Sequence, residues 1–149
     1  MTEKIWGMLE TMGIAVEYTD LLPDRDGEYH HERKLIRLQR GMATRLHRSV
    51  LAHECAHAVF ADVPSRFGPV NRKQERRADE WAALRLIDVT AYKHAELVHH
   101  GHSEAIALEL GVTVDLIDAY QRVLLRVDDT VYVKPREGAG QWLHRERVA

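Results

Sequence analysis

The apolar positions of this chain change period along its length. Ile5, Trp6, Leu9 and Met12 recur at helical spacing and predict a short amphipathic helix over residues 3–12. Short alternating runs then predict strands at about 14–18, 28–32 and 34–38. Leu21, Pro23, Asp24, Asp26 and Gly27 mark the loop between the first two. From Thr44 to Ala61 there is neither Pro nor Gly, and Leu46, Val50, His53, His57 and Phe60 share one helical face. Ala52, Cys55, Ala56 and Val59 make the other faces apolar too, so this segment reads as a core helix. Pro64 to Pro69 reads as a loop. A second long helix is expected over 71–87, with Asn71 as N-cap and Gln74 at the reciprocal capping position. A helix at about 90–100 follows; Gly101 breaks it, and Ser103 caps another. Ala107, Gly111, Val112 and Ile117 then fall at the spacing of a helix-turn-helix.

The core helix carries polar groups that need partners. His53-Glu54-Cys55-Ala56-His57 reads H-E-x-x-H. Histidines four apart lie on one face of a helix, so both imidazoles can reach one metal ion, and the glutamate beside the first stands where a general base is needed. Burying two His and a Glu without partners is costly, and a metal satisfies all three. A third ligand should come from the next helix, where Glu75, Ala78, Asp79, Ala82 and Leu86 share one face. Glu75 is assigned as that ligand. Asp79, one turn on, can hold the outer ring nitrogen of His53 or His57. The competing reading makes both carboxylates solvated charges among Arg72, Lys73, Arg76 and Arg77. Glu80 is the nearest alternative ligand but is rotated off the face.

His53 to His57, followed by Glu75-Arg76-Arg77-Ala78-Asp79-Glu80-Trp81-Ala82, resembles the ImmA/IrrE family of zinc metallopeptidases, which shows H-E-x-x-H and then E-x-x-A-D/N-x-aromatic-A. Gly13 to Val16, Gly27 to Tyr29 and Leu35 to Leu38 resemble the family's strands before the active helix. The resemblance spans about residues 10–126. It implies a gluzincin-like site, with two His and one Glu on one zinc per chain. It also implies an intracellular protease of helix-turn-helix repressors, in phage or mobile-element immunity or stress regulation. Phe60-Ala61-Asp62 and Leu84 to Asp88 depart from the family's usual residues.

The expected fold is α+β. A small antiparallel three-stranded sheet packs on a zincin-type helical core, with C-terminal helices that include the helix-turn-helix-like unit. The chain is read as one metallopeptidase domain over 1–149: sheet and active-site helices at 1–88, a helical subdomain at 89–127 and a tail at 128–149. The tail is polar from Lys134, with Trp142 and Leu143 as its packing residues. A net charge of −2 gives no global pull towards nucleic acid or acidic lipid, and one Cys excludes an intrachain disulfide. Cys55 reads as a packing residue facing away from the metal. No apolar run approaches a membrane span and Met1-Thr2-Glu3-Lys4 starts no signal peptide, so the expected location is the cytoplasm. The expected state is a monomer or weak dimer.

In the expected mechanism, Glu54 takes a proton from a zinc-activated water and passes it to the leaving amine. Tyr29, His30, His31, His99 and His100 are the candidate donors to the developing oxyanion, with Tyr29, His31 and His99 foremost. The stretch 29–32 is a candidate edge strand for an extended substrate, and strand alternation would let only one of His30 and His31 face the cleft. Mn or Fe also suits the ligand set. His94, His99, His100 and His102 are a weaker second-site candidate than solvated helix-end histidines. The expected partner is a protein substrate of repressor type. Two other functions compete: a non-catalytic zincin-like anti-repressor, which has no need of Glu54, and a DNA-binding regulator through residues 105–122. Asp115 and Asp118 on the would-be recognition helix oppose phosphate binding, so direct nucleic-acid contact is not expected.

Overall fold

The computed structural model describes residues 2–125 and, beyond them, the backbone of two short strands at 130–132 and 145–147. Most of the segment read as a tail, including Trp142 and Leu143, lies outside the described residues. The order is α1 (Thr2–Met12), β1 (Ala15–Thr19), β2 (Gly27–His30), β3 (Leu35–Gln39), α2 (Thr44–Val59), α3 (Gly68–Leu86), α4 (Val89–Val98), α5 (Ser103–Leu110), α6 (Val114–Leu124), β4 (Thr130–Tyr132) and β5 (Arg145–Arg147). The class is α+β.

The three-stranded sheet is mixed rather than antiparallel. Its order is β1-β3-β2: β2 and β3 form an antiparallel hairpin, and β1 runs parallel to β3. The reason lies in β3. Leu35, Ile36 and Leu38 are all buried, so this strand takes the centre, where a neighbour covers each edge. The loop after β1 must then cross to the far edge. It is tied to the end of β3 on the way: Gln39 N–H donates to Asp26 O (2.8 Å), and Leu21 N–H donates to the Gln39 side chain (2.8 Å).

The sheet packs on α2, and α2 packs on α3 through small residues. Ala52 and Ala56 on the first helix, and Ala78, Ala82 and Ala83 on the second, are fully buried in one continuous core running from Ile5 to Tyr120. Small side chains let the two backbones approach closely, which is what brings a carboxylate on α3 within reach of α2. The α5–α6 turn is also tied to α2. Arg45 and Arg48 donate to the carbonyls of Val112 (3.2 Å) and Leu110 (3.3 Å), and Thr113 N–H donates to Ser49 Oγ (3.1 Å).

Helix ends differ from the sequence reading in two informative places. The second long helix begins at Gly68 with Pro69 in its first turn, where the missing N–H has no helical partner to lose. Asn71 is therefore inside the helix, and it caps nothing. Its side chain instead accepts from Ser65 N–H (2.8 Å) and donates to Ser65 O (2.6 Å), folding the preceding loop back onto α3. Similarly, His102 is the N-cap of α5, and Ser103 is its first helical residue.

The end of α2 matters more. Ala61 N–H donates to Ala58 O (3.1 Å) and Asp62 N–H to His57 O (2.9 Å), the two bonds of a Schellman motif. That motif requires a left-handed residue, and Ala61 takes φ +52° there, where Gly is the usual occupant. Its consequence is to fold Asp62 back beside His57. Ala61→Gly should relieve the strained conformation at some cost in unfolded-chain entropy, for a net gain of about 0.5–1 kcal/mol. Urea denaturation checks this; a loss of stability would show that Ala61 is not strained.

Candidate metal centre and cleft

His53 and His57 lie one turn apart on α2 and face the first turns of α3. His53 Nε2 is 3.0 Å from Glu75 Oε2, His57 Nε2 is 3.2 Å from Glu75 Oε1, and the two Nε2 atoms are 3.1 Å apart. Among the described residues this is the one group of three His, Cys, Asp or Glu side chains that can hold a metal ion. The Glu75 side chain is 59% exposed, so one side of the triangle opens to the cleft.

The outer ring nitrogens are both engaged. His53 Nδ1 lies 2.7 Å from Asp79 Oδ1 and His57 Nδ1 lies 2.9 Å from Asp62 Oδ2. Carboxylates only accept, so each Nδ1 carries a proton, and with a metal in place each neutral imidazole would turn its Nε2 lone pair inward. Two lone pairs and a carboxylate then converge on one point, an arrangement that repels itself unless a cation lies between. The titration directions show a site that favours positive charge, supplied by protons on the rings when no metal is bound. Burial works against a charged His53, yet hydrogen bonds to Asp79 and Glu75 and the charge of Glu54 outweigh it and carry the pKa up to about 10. His57 is raised by Glu75 and Asp62 against its own burial. Glu75 is held well below the usual carboxylate range, chiefly by its hydrogen bonds to both imidazoles. The donor spacing fits too. A tetrahedral ion with bonds of about 2.0–2.1 Å holds its ligand atoms about 3.3 Å apart, close to the 3.0–3.2 Å found here.

Glu54 lines the same cleft, lies against Gly27 at the start of β2, and is buried. Burial raises its carboxyl pKa, with the Glu75 and Glu28 charges adding to the shift while His53 and His57 oppose it. It fits because position 27 is glycine: a Cβ there would lie 2.7 Å from Val50 Cγ1 and 3.0 Å from Glu54 Oε1. Cys55, on the core side of α2, is a protonated thiol whose pKa burial pushes up to about 11, with Arg85 opposing.

His53, Glu54 and His57 line a cleft of about 650 Å³, with β2 and the following turn on one side and Asn71, Gln74 and Glu75 on the other. Tyr29, His30 and His31 all line it. Strand alternation does not separate the two histidines, because β2 ends at His30 and His31 already belongs to the turn. Tyr29 Oη lies 3.0 Å from His31 Nδ1. The other foremost donor candidate, His99, is not among the cleft-lining residues. It caps the end of α4, with Nε2 3.3 Å from Glu109 Oε1. His94, His99, His100 and His102 supply no three-residue metal cluster among the described residues. Glu80 faces away, 3.3 Å from Arg122.

Sequence reasoning missed Asp62, Arg77 and Gly27. Asp62 also accepts from Arg77, whose guanidinium stacks 4.0 Å over Phe60. The available signal was an acid placed five residues after the second histidine, just past a helix end.

A small mixed sheet, an H-E-x-x-H helix and a carboxylate delivered by the next helix define an α+β protein with a His-His-Glu group able to hold a metal. The chain belongs to the Peptidase_M78 family, the IrrE N-terminal-like domain, whose family model matches residues 9–119. Membership supports a metallopeptidase or an IrrE-like regulator. A Mycobacterium tuberculosis transcriptional regulator of known structure is similar, with a TM-score of 0.56 and 18% identity over 83% of this chain and 42% of that chain. At that identity the likeness is one of fold, and the shared part is less than half of the other protein. No curated protein matches the chain.

If Asp62 fixes the ring of His57, Asp62→Asn should weaken zinc affinity by about 10–100-fold while the fold persists. Competition with a chromophoric chelator measures it; unchanged affinity would mean that the outer carboxylate has no part in metal holding.

Proposed function

We propose that this protein is a zinc-dependent endopeptidase with His53, His57 and Glu75 as metal ligands, Asp79 and Asp62 as their outer partners and Glu54 as the general base. The observation that carries the reading is the placement of Glu54: a buried carboxyl at the floor of the cleft, beside a triangle of inward-facing donors. A pure metal scaffold has no use for such a group.

A divalent ion held by that triangle supplies Lewis acidity, lowering the pKa of water towards about 7 and polarising a carbonyl oxygen. The rest is work for the chain's own side chains. Glu54, its pKa raised by burial, is suited to take a proton from the attacking water and to return it to the amide nitrogen. Tyr29 and His31, both lining the cleft, are the donors assigned to the developing oxyanion. Burial raises the Tyr29 pKa, which keeps its phenol a donor. Among the described residues β2 is an edge of its sheet, bonded only to β3, so its other side can align an extended peptide.

The family resemblance supports a helix-turn-helix repressor as the substrate and the cytoplasm as the location. No described helix is long and apolar enough to cross a membrane. Against the DNA-binding reading stand the α5–α6 turn, hydrogen-bonded to α2, and Asp115 in the first turn of α6.

The test compares zinc-loaded wild type with Glu54→Gln on a peptide library, reading new N-termini by mass spectrometry. The variant should cut about 10²–10⁴-fold more slowly at equal zinc content. Equal cleavage by the two proteins would remove Glu54 from the mechanism, and repressor inactivation that survives Glu54→Gln would instead favour the non-catalytic anti-repressor.

A further inference from the structure

The start of α3 carries its charges in an unfavourable place. Helix N-termini are electropositive, yet there is no acid in the first turn of α3, and Arg72, Lys73 and Arg76 follow within its first turns with Arg66 just before it. Arg72 and Arg76 stand four apart, as do Lys73 and Arg77, spacings at which like charges repel. Most other arginines among the described residues are used. Arg25 and Arg37 hold Glu28, Arg45 and Arg48 hold the α5–α6 turn, Arg77 holds Asp62, and Arg122 meets Glu80. Among the described residues Arg66, Arg72 and Arg76 make no such contact, and all three are exposed. Beside them the Phe67 side chain is 63% exposed, a large apolar group left in water. Among the described residues one further arginine is also without such a contact: Arg33, which lines the opposite wall of the cleft.

Arg33 thus lines one wall of the cleft, while Arg66, Phe67, Arg72, Lys73 and Arg76 do not line it but adjoin in sequence the residues of the other wall, Pro64, Asn71, Gln74 and Glu75. A site that spends stability in this way is best explained by something it binds. We infer that Arg66, Arg72, Lys73 and Arg76, with Phe67 and Arg33, dock an acidic polypeptide segment flanking the bond that enters the cleft. The inference rests on the endopeptidase reading and names its substrate class. The occupant is a peptide rather than a nucleic acid because the cleft itself carries exposed Glu32 and Glu75. A continuous phosphate backbone would run across those carboxylates. A peptide with its acids on either side of a neutral centre avoids them, and its apolar side chains have Phe67 to meet.

The test uses the full chain, zinc-loaded and carrying Glu54→Gln so that nothing is cut. Fluorescence anisotropy follows a labelled peptide with glutamates at both ends of an apolar centre, and the same peptide with glutamines. The glutamate peptide should bind more tightly, by a margin that shrinks as salt rises. Arg72→Glu/Arg76→Glu should weaken it about tenfold. Arg33→Glu, on the other wall, should weaken it as well. The same charge change at Lys4 and Arg40, which neither line the cleft nor adjoin its lining residues in sequence, should leave it nearly unchanged. Equal binding of the two peptides, equal loss in the control, or tighter binding of a short DNA duplex would each overturn the proposal. Failure of the peptidase reading shows separately, as no cleavage of the bound peptide by the wild type.

Discussion

The site exists because two helix backbones come close together. Ala52 and Ala56 on α2 and Ala78, Ala82 and Ala83 on α3 are buried without a gap in the core between the two rods. Larger side chains at those positions would push α3 outwards. The contact of Glu75 with both imidazoles, at 3.0 and 3.2 Å, would then be lost. The chemistry is therefore set by packing along the stripe of α2 next to the one that displays it.

Electrostatics completes what packing begins. Asp79 and Asp62 each hold one Nδ1, so the tautomer of both rings is decided from outside and the inward Nε2 lone pairs are left free. Four carboxylates thus surround two histidines, a field that favours positive charge at the centre. Asp62 reaches its place through the Schellman turn at Ala61, and Arg77 with Phe60 holds it there. A backbone motif at a helix end thereby does the work of orienting a ring.

The sheet contributes by what it omits. Gly27 at the start of β2 leaves room for Glu54, whose carboxylate lies where any side chain at that position would intrude. The same strand is the sheet edge among the described residues, with its outer hydrogen-bonding side beside the cleft. The α5–α6 pair has the spacing of a helix-turn-helix but serves here as a buttress, its turn hydrogen-bonded to the helix that carries the histidines.

Much of this was legible in the residues themselves. Helical spacing alone places His53 and His57 on one face and Glu75 and Asp79 on one face, because the period of a helix does not depend on its surroundings. The α+β class and most element boundaries followed from the same local periodicity. What needed the tertiary structure was every relation between elements. A parallel β1–β3 pair cannot be read from strands that merely follow one another; it arises because the most apolar strand takes the centre. Gly27 looks like any loop glycine until Glu54 is set against it. His99 looked like a cleft residue because His is a plausible donor, and the direction in which α4 ends placed it with Glu109 instead. Local sequence dictates which side chains share a face. Only long-range packing dictates which faces meet.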